Sequence, residues 1–314
     1  MYMQHTLQNS FNITDIGLHS GVDVSLTVKP AAPDHGVVFK RVDLQNLNEE
    51  QQRISAKWDR VVDTRLCTVI GNEHGAIVGT IEHLMAAIRA AGIDNALVEI
   101  DAGEVPVLDG SSIGFIEAIE EAGIQEQSQP RRAIRILKDV TVTDGNKSIT
   151  LSPSAVPLYE GRIEYTNAAI IGDQSYTLKL VNGNFKHDVA DCRTFGLLHE
   201  VEAMKAAGLG LGGSLDNAVI VDDDHVLNPD GVRHSDEFVR HKILDAVGDL
   251  ALAGGLVIGH YKGLRAGHDM NNKILKALFA DDSAWEIVDL YVDIKEADMA
   301  VYQQNTPKIA VTPR

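Results

Sequence analysis

Two stretches of the chain place apolar residues at the spacing of an α-helix. Residues 81–92 (IEHLMAAIRAAG) are apolar at positions 81, 84, 85 and 88, and Thr80 precedes them as an expected N-cap. Residues 240–251 (RHKILDAVGDLA) are apolar at 243, 244, 247 and 250. At about 100° per residue, His241, Asp245 and Asp249 fall within roughly 80° of one another on the opposite face. Both stretches are predicted to be helices that carry polar, chemically active residues.

Shorter segments alternate between apolar and polar residues, which indicates strands. They are residues 22–30, 36–43, 134–145, 147–154 and 162–167. Asp144-Gly145 is predicted to be the turn of a hairpin. Because these segments come in runs that precede the helices, the sequence favours an α+β fold with helices packed on antiparallel or mixed sheets.

One short sequence occurs twice. Residues 94–101 read DNALVEID and residues 216–223 read DNAVIVDD, and each follows a helical pattern that ends in glycine. We interpret this as an internal duplication of a helix, strand, turn and helix. The boundary between the halves is expected near residues 125–132, which are polar, contain a proline and lack periodicity. The predicted domains are residues 1–126 and 127–314.

Composition limits the function classes. The chain of 314 residues is 44% hydrophobic, enough to form large cores, and its net charge of −17 argues against a nucleic-acid partner. A small anionic ligand stays possible if a few cations are gathered locally. No secretory signal is recognisable, the longest apolar stretch is about half of a membrane span, and two cysteines give no disulfide framework. We expect a cytoplasmic protein without stable membrane insertion.

Three side chains suggest a metal site. His83 on the first predicted helix, with His241 and Asp245 on the second, would supply two imidazoles and one carboxylate and leave one position open for water. That arrangement is typical of catalytic rather than structural zinc. Taken singly, each residue has a simpler explanation as part of a charged helix surface. Glu82, beside His83, could reach the edge of the same site and act as a base.

His268 is a further candidate, placed in a loop by Gly267 and followed by a helix. If protonated, it could stabilise an oxyanion or protonate a leaving nitrogen, although helix capping is an equal alternative. Asp249 is placed to hold His268 charged. Thr194 could add a hydroxyl donor.

Other interpretations were weighed. Two histidines and a carboxylate also form the triad of non-haem iron oxygenases, but the usual HxD pairing on a strand is missing. A metal that only joins two repeats would need a fourth protein ligand, for which Cys67 is the candidate to check. Gly208, Gly210 and Gly213 satisfy GxGxxG, yet they follow a helix and precede a strand, so they predict a turn and not a dinucleotide site.

Ordered motifs over nearly the whole chain carry a family resemblance. They are GLHSG (17–21), DTRLCT (63–68), TIEHLMAA (80–87), GIDNALVEI (92–100), LDGSS (108–112), CRTFG (192–196), LGGSLDNAVIVDD (211–223), FVRHKILDAVGDL (238–250) and GHDMNNK (267–273). In these motifs the chain resembles the zinc-dependent UDP-3-O-acyl-N-acetylglucosamine deacetylases, the committed enzymes of lipid A synthesis in Gram-negative bacteria. The resemblance implies two similar two-layer α/β sandwich domains with the active site between them, and hydrolysis of a 2-acetamido group with release of acetate.

The resemblance also implies residue roles. It implies zinc ligands at His83, His241 and Asp245, a general base at Glu82, an acid or oxyanion stabiliser at His268 with Asp249 behind it, and a carbonyl-polarising hydroxyl at Thr194. The binding partner would be a UDP-sugar lipid precursor, and we expect a monomer.

The implied substrate needs further contacts. An acyl channel is expected in an insert of the second domain, from Phe195, Leu197, Leu198, Leu209, Leu211 and Leu215. Lys242 and Arg265 are candidates for the UDP phosphates, and Tyr165 for uracil. Leu18 and His19, in GLHSG, are further candidate substrate contacts. Arg65, where an apolar residue is expected near the pocket, and His199 are departures that could alter acyl-chain preference.

Overall fold

The computed structural model describes residues 2–181 and 183–290. The first half of this part of the chain contains β1 Met3–Leu7, β2 Phe11–Ile16, β3 Asp23–Pro30, β4 Val37–Arg41, β5 Arg53–Ser55, a 3-10 turn Trp58–Arg60, β6 Val61–Asp63, β7 Val69–Gly71, β8 Ile77–Val78, α1 Glu82–Ala90, β9 Ala96–Ile100, α2 Ile113–Ala122 and β10 Ile124–Pro130.

The second half follows directly. It contains β11 Arg132–Ile136, β12 Val140–Asp144, β13 Lys147–Ser152, β14 Leu158–Glu164, β15 Asp173–Lys179, α3 Asn184–Asp188, β16 Phe195–Leu197, α4 Leu198–Ala206, β17 Val219–Asp222, β18 His225–Val226, α5 Glu237–Ala251, β19 Leu256–Ile258, β20 His260–Leu264, α6 His268–Phe279 and β21 Trp285–Asp289. The hairpin at Asp144-Gly145 and the predicted α+β class are confirmed.

Each half contains a five-stranded mixed sheet, and the two sheets have the same topology. Their strand orders are β2-β3-β9-β4-β5 and β12-β13-β20-β14-β15. In each sheet only the pairing of the third with the fourth strand is parallel. A helix precedes the central strand of each sheet, α1 before β9 and α5 before β20. The two halves therefore place α1 and α5 in corresponding positions.

The core is shared between the halves. Strand β3 buries Val24, Leu26 and Val28 completely and turns the residues between them outward, as a strand with one covered face does. The largest apolar cluster joins side chains of both sheets with those of α1 and α5. Packing between α1 and α5 is close at Gly248, where a Cβ atom would lie 2.0 Å from the carbonyl oxygen of Glu82.

The predicted correspondence between residues 94–101 and residues 216–223 is wrong. Residues 94–101 contain β9, at the centre of a five-stranded sheet, but residues 216–223 contain β17, in a separate three-stranded sheet of β16, β17 and β18. The structural counterpart of β9 is β20. Two short buried strands that each follow a turn have similar sequences, and only the pairing partners distinguish them.

Three local predictions are also corrected. Thr80 is not the N-cap of α1: its φ is 54°, and its hydroxyl donates to Glu104 Oε1 at 2.8 Å. Residues 124–130 form a strand, β10, which pairs with β1 and shows no alternation because almost all of its side chains are exposed. His268 is the first residue of α6 and not a loop residue. The turn predicted for the glycine-rich segment after α4 is confirmed.

In residues 2–181 and 183–290, every helix is too short or too polar to cross a membrane.

Candidate metal centre and active site

α1 and α5 bring the three predicted metal ligands together. Asp245 Oδ1 lies 3.5 Å from His83 Nε2 and 3.3 Å from His241 Nε2. One potential ligand atom from each residue lies within 4.8 Å of the others. All three residues are at most 4% exposed. His241 and Asp245 are one turn apart on α5, and His83 comes from the corresponding helix of the other half.

The donor atoms fit a divalent metal ion. Asp245 Oδ1 is buried and accepts no hydrogen bond from the described residues, whereas Oδ2 accepts one from Lys242 Nζ at 2.8 Å. His241 Nδ1 lies 3.0 Å from the carbonyl oxygen of Cys192. Because a carbonyl only accepts, the proton is on Nδ1 and the lone pair is on Nε2, toward Asp245. Two imidazole nitrogens and one carboxylate oxygen are a donor set suited to zinc.

The protonation states of these residues also suit a ligand role. Burial lowers the pKa of His241 to about 3, so its imidazole is neutral at pH 7. Burial alone would raise the pKa of Asp245, but His241 and Lys242 outweigh it and hold that pKa well below its ordinary value. A neutral imidazole and an ionised carboxylate are the forms that bind metal.

Glu82, the first residue of α1, lies at the edge of this cluster. Its side chain is buried, Oε2 accepts from the backbone N–H of Thr68 at 3.1 Å, and Oε1 lies 3.6 Å from His268 Nε2. Burial raises the pKa of Glu82, against the opposing effect of His268 and then His83. A carboxylate whose pKa is raised in this way is suited to accept and pass on a proton.

His268 is held by a buried carboxylate. Its Nδ1 lies 2.8 Å from Asp249 Oδ2, and Asp249 also accepts from Thr68 Oγ1 at 2.5 Å and from Asn271 Nδ2 at 2.8 Å. Tyr261 in turn donates to Asn271 Oδ1 at 2.8 Å. Burial lowers the pKa of His268, but Asp249 and Glu82 outweigh it and raise that pKa to about 10. His268 is therefore an imidazolium at neutral pH.

The cluster opens into a cavity of about 910 Å³. Its lining includes most of the predicted site residues: Leu18, His19, Glu82, His83, Thr194, Phe195, His241, Lys242, Asp245 and His268. Asp249 lies behind His268, where it supports the site without lining the cavity. Within the described residues, the predicted metal ligands, most of the predicted catalytic residues and several predicted substrate contacts therefore line one cavity.

Two of the predicted substrate contacts are not among the cavity-lining residues, and their roles stay predictions. Arg265 is not among the cavity-lining residues, and its guanidinium pairs with Glu164 at 2.7 Å. Tyr165 is also outside the lining and packs edge-on against Phe195, with ring centroids 6.0 Å apart. Phe195 in turn receives the Lys242 ammonium over its face at 5.3 Å.

Three of the six residues predicted to form an acyl channel line the cavity. Phe195, Leu198 and Leu215 line the cavity, whereas Leu197 is buried in a separate cluster and Leu209 and Leu211 are exposed outside the lining. The sequence analysis missed other apolar lining residues, from α4, β17 and their surroundings: Val201, Met204, Ala218, Ile220 and Leu227. Only the fold shows which faces of these elements point to the cavity.

Arg65 lies at the rim, with a side chain that is 85% exposed and paired with Asp63. His199 is exposed and outside the lining. Cys67 lines the cavity but is not one of the three clustered ligands, and burial raises the pKa of its thiol to about 12. Because Cys67 is not clustered with His83, His241 and Asp245 in the described residues, a structural site closed by Cys67 as fourth ligand is disfavoured.

Several supporting residues were missed by the sequence analysis. Thr68 contacts both Glu82 and Asp249, and Glu104 fixes the GLHSG loop by accepting from the backbone N–H groups of His19 and Ser20 at 2.9 Å. Thr68 lies in the motif DTRLCT and Asn271 in the motif GHDMNNK, so both residues belong to motifs that the sequence analysis had recognised. Their partners, however, are distant in sequence.

The cavity is partly apolar, and buried titratable side chains with shifted pKa values line it. Such a cavity is typical of an enzyme that acts on a small molecule. Comparison with known proteins narrows that class. The sequence model of the family described as UDP-3-O-acyl N-acetylglycosamine deacetylase matches residues 4–280. The chain belongs to this family.

Curated relatives agree with this assignment. UDP-3-O-acyl-N-acetylglucosamine deacetylase of Phenylobacterium zucineum (strain HLK1) is 45% identical over 294 residues, which cover 94% of this chain and 99% of the relative. The deacetylase of the same name from Xanthomonas axonopodis pv. citri (strain 306) is also 45% identical, over 92% of this chain and 94% of the relative. That from Campylobacter lari (strain RM2100 / D67 / ATCC BAA-1060) is 46% identical, over 91% and 95%.

Proposed function

We propose that the chain is a zinc-dependent deacetylase that hydrolyses the 2-acetamido group of a UDP-3-O-(3-hydroxyacyl)-N-acetylglucosamine and releases acetate. The observation that carries this proposal is Asp245 Oδ1, buried without a hydrogen-bond donor between the Nε2 atoms of His83 and His241. A buried carboxylate oxygen without a partner is costly, and a cation held by all three residues would remove that cost.

Zinc bound there would act as a Lewis acid and lower the pKa of water to about 7. Glu82 is placed to take the proton of a water that attacks the amide carbon. His268, protonated by its pairing with Asp249, can then stabilise the developing oxyanion or give its proton to the departing nitrogen as the C–N bond breaks. The products are acetate and a free amine.

The remaining groups would bind substrate and exclude water. Thr194 lines the cavity and can supply a hydroxyl to the carbonyl oxygen, and Lys242 is a cation in the same wall. The apolar wall formed by Phe195, Leu198 and Leu215 suits a fatty acyl chain. Leu18 and His19 also line the cavity and would contact the substrate.

The wider setting is also part of the proposal. We infer a cytoplasmic monomer that catalyses the committed step of lipid A synthesis, without stable membrane insertion. We further propose two domains, residues 1–126 and 127–314, with the site between them. The equal topology of the two five-stranded sheets supports this division. The predicted second domain includes residues 291–314, which lie outside the described residues.

The test is acetate release from UDP-3-O-acyl-N-acetylglucosamine by the zinc-loaded wild type and by Glu82→Gln. Glu82→Gln should keep its zinc and lose turnover by about 10²-fold or more, because an amide cannot accept the proton. The exposed Glu117→Gln on α2 is the matched control and should behave as wild type. No acetate from the wild type would refute the function, and near-normal turnover by Glu82→Gln would refute the base assignment.

A further inference from the structure

Glu237 is a wholly buried carboxylate without a role in the reaction described above. It is the first residue of α5, one turn before His241, and is 0% exposed. Oε1 accepts from Arg193 N and Nε, both at 2.9 Å. Oε2 accepts from Arg193 Nη2 at 3.2 Å and from the backbone N–H of Arg233 at 2.6 Å. Four donors therefore saturate the carboxylate, which offsets much of the cost of burying its charge.

Arg193 lies between two groups that belong to the site. The carbonyl oxygen of Cys192 is the hydrogen-bond partner of His241 Nδ1, and Thr194 lines the cavity beside the metal ligands. Arg193 also donates to the carbonyl oxygen of Gly231 at 2.8 Å, so its guanidinium is held at both ends. The ion pair thus ties the segment of residues 192–194 to the helix that carries His241 and Asp245.

Other contacts hold the same segment against the first half of the chain. Thr194 N donates to the carbonyl oxygen of Gly110 at 2.8 Å, and Arg233 Nη1 donates to Asp109 Oδ2 and to the carbonyl oxygen of Asp191, both at 2.7 Å. The segment is therefore fixed on one side by the LDG turn and on the other by Glu237.

We propose that Glu237 and Arg193 are positioning residues for the metal centre. By fixing the carbonyl of Cys192 against His241, they set the ring orientation and tautomer of that ligand, and they hold Thr194 at the cavity. Partners of the second imidazole nitrogen affect metal affinity strongly, because they decide which nitrogen carries the lone pair. This inference rests on the proposed function, since it assumes that His241 binds zinc.

Two substitutions test the pair in different ways. Glu237→Gln replaces one acceptor oxygen with an NH₂ group, which then opposes the N–H donors of Arg193 or Arg233. Arg193→Lys keeps the positive charge near Glu237 but loses the forked donors Nε and Nη2. The control is Asp236→Asn, the same acid-to-amide change one residue earlier, where the side chain is partly exposed and pairs with Arg240 at 2.6 Å.

The measurements are zinc affinity by competition with a chelator, and the ¹⁵N–¹H histidine spectrum of the zinc-loaded protein, both below the unfolding temperature of every variant. Glu237→Gln and Arg193→Lys should weaken zinc binding by about 10- to 100-fold and should shift or broaden the His241 Nδ1–H signal. Asp236→Asn should stay within about twofold of wild type.

The outcomes separate this inference from the proposed function. If the wild type binds zinc and releases acetate while both variants bind zinc as tightly as Asp236→Asn, the positioning role is refuted and the function stands. If Glu237→Gln does not fold, Arg193→Lys decides, because it retains the buried ion pair. Failure of the wild type to bind zinc would overturn the proposed function itself.

Discussion

Gly248 sets the distance between the two helices that carry the site. In an isolated helix, replacing a glycine with alanine stabilises by about 1 kcal/mol. At position 248, however, the new Cβ would lie 2.0 Å from the carbonyl oxygen of Glu82 and 2.8 Å from its carbonyl carbon. For the new Cβ to lie even 3.0 Å from that oxygen, α1 and α5 must separate by about 1 Å. Inserting an extra methyl group into a well-packed contact typically costs about 1–3 kcal/mol of stability. We therefore expect Gly248→Ala to be destabilising by up to about 2 kcal/mol after the helical gain is subtracted.

The same separation of α1 and α5 should reduce turnover more than it reduces the stability of the fold. It moves Glu82 and His83 relative to His241 and Asp245, and a displacement of about 1 Å can cost about 10²-fold in rate. The assays are thermal unfolding, zinc content and acetate release. Gly114→Ala on α2 is the control, because its Cβ would meet only the end of the Leu108 side chain at 2.9 Å. Wild-type stability and turnover in Gly248→Ala would refute the reasoning.

Two further predictions concern charge. The pKa of His268 is raised to about 10 in the folded protein from about 6.5, so its pairing stabilises fully below pH 6.5 and loses its effect as the pH rises toward 10. The difference in unfolding free energy between wild type and His268→Gln, measured with a chemical denaturant, should shrink from pH 6 to pH 10, and a constant difference would contradict this. Lys242→Ala should raise the KM for the UDP-sugar by roughly 10-fold or more, because a charged donor in the cavity wall is lost. Arg265→Ala should raise that KM by less than about threefold, since its guanidinium is bound to Glu164 outside the cavity, and equal effects would contradict the placement.

Helical periodicity was enough to predict the part of the metal cluster that lies on α5. α5 is 15 residues long and regularly patterned, so the shared face of His241 and Asp245 could be deduced from spacing alone. That His83 meets them could not, because the contact joins helices about 160 residues apart and depends on how the two halves pack. Their grouping was a hypothesis from residue type, and the family resemblance implied the same three ligands.

The supporting network was beyond sequence reasoning. Thr68 and Asp249 are 181 positions apart, yet their side chains share a buried hydrogen bond. Glycine is unfavourable within a helix, and only the close approach of Glu82 explains its presence at position 248. Arg265 lies two residues before the GHDMNNK motif, but spacing does not show side-chain direction. Its guanidinium is bound to Glu164 and is outside the cavity lining.

The strand assignments failed where strands lack a one-sided pattern. β10 is exposed on both faces and therefore carries no alternation. β17 is a run of three buried residues, and a run of that kind does not identify its sheet. The equal topology of the two sheets is visible only in their strand order, in which β20 and not β17 corresponds to β9.

The most direct measurement is metal content together with acetate release, before and after removal of metal by a chelator and after addition of zinc. We predict one zinc per chain, bound through His83, His241 and Asp245, with acetate release lost on removal and restored by zinc. Metal-free protein that releases acetate at the full rate would contradict the account.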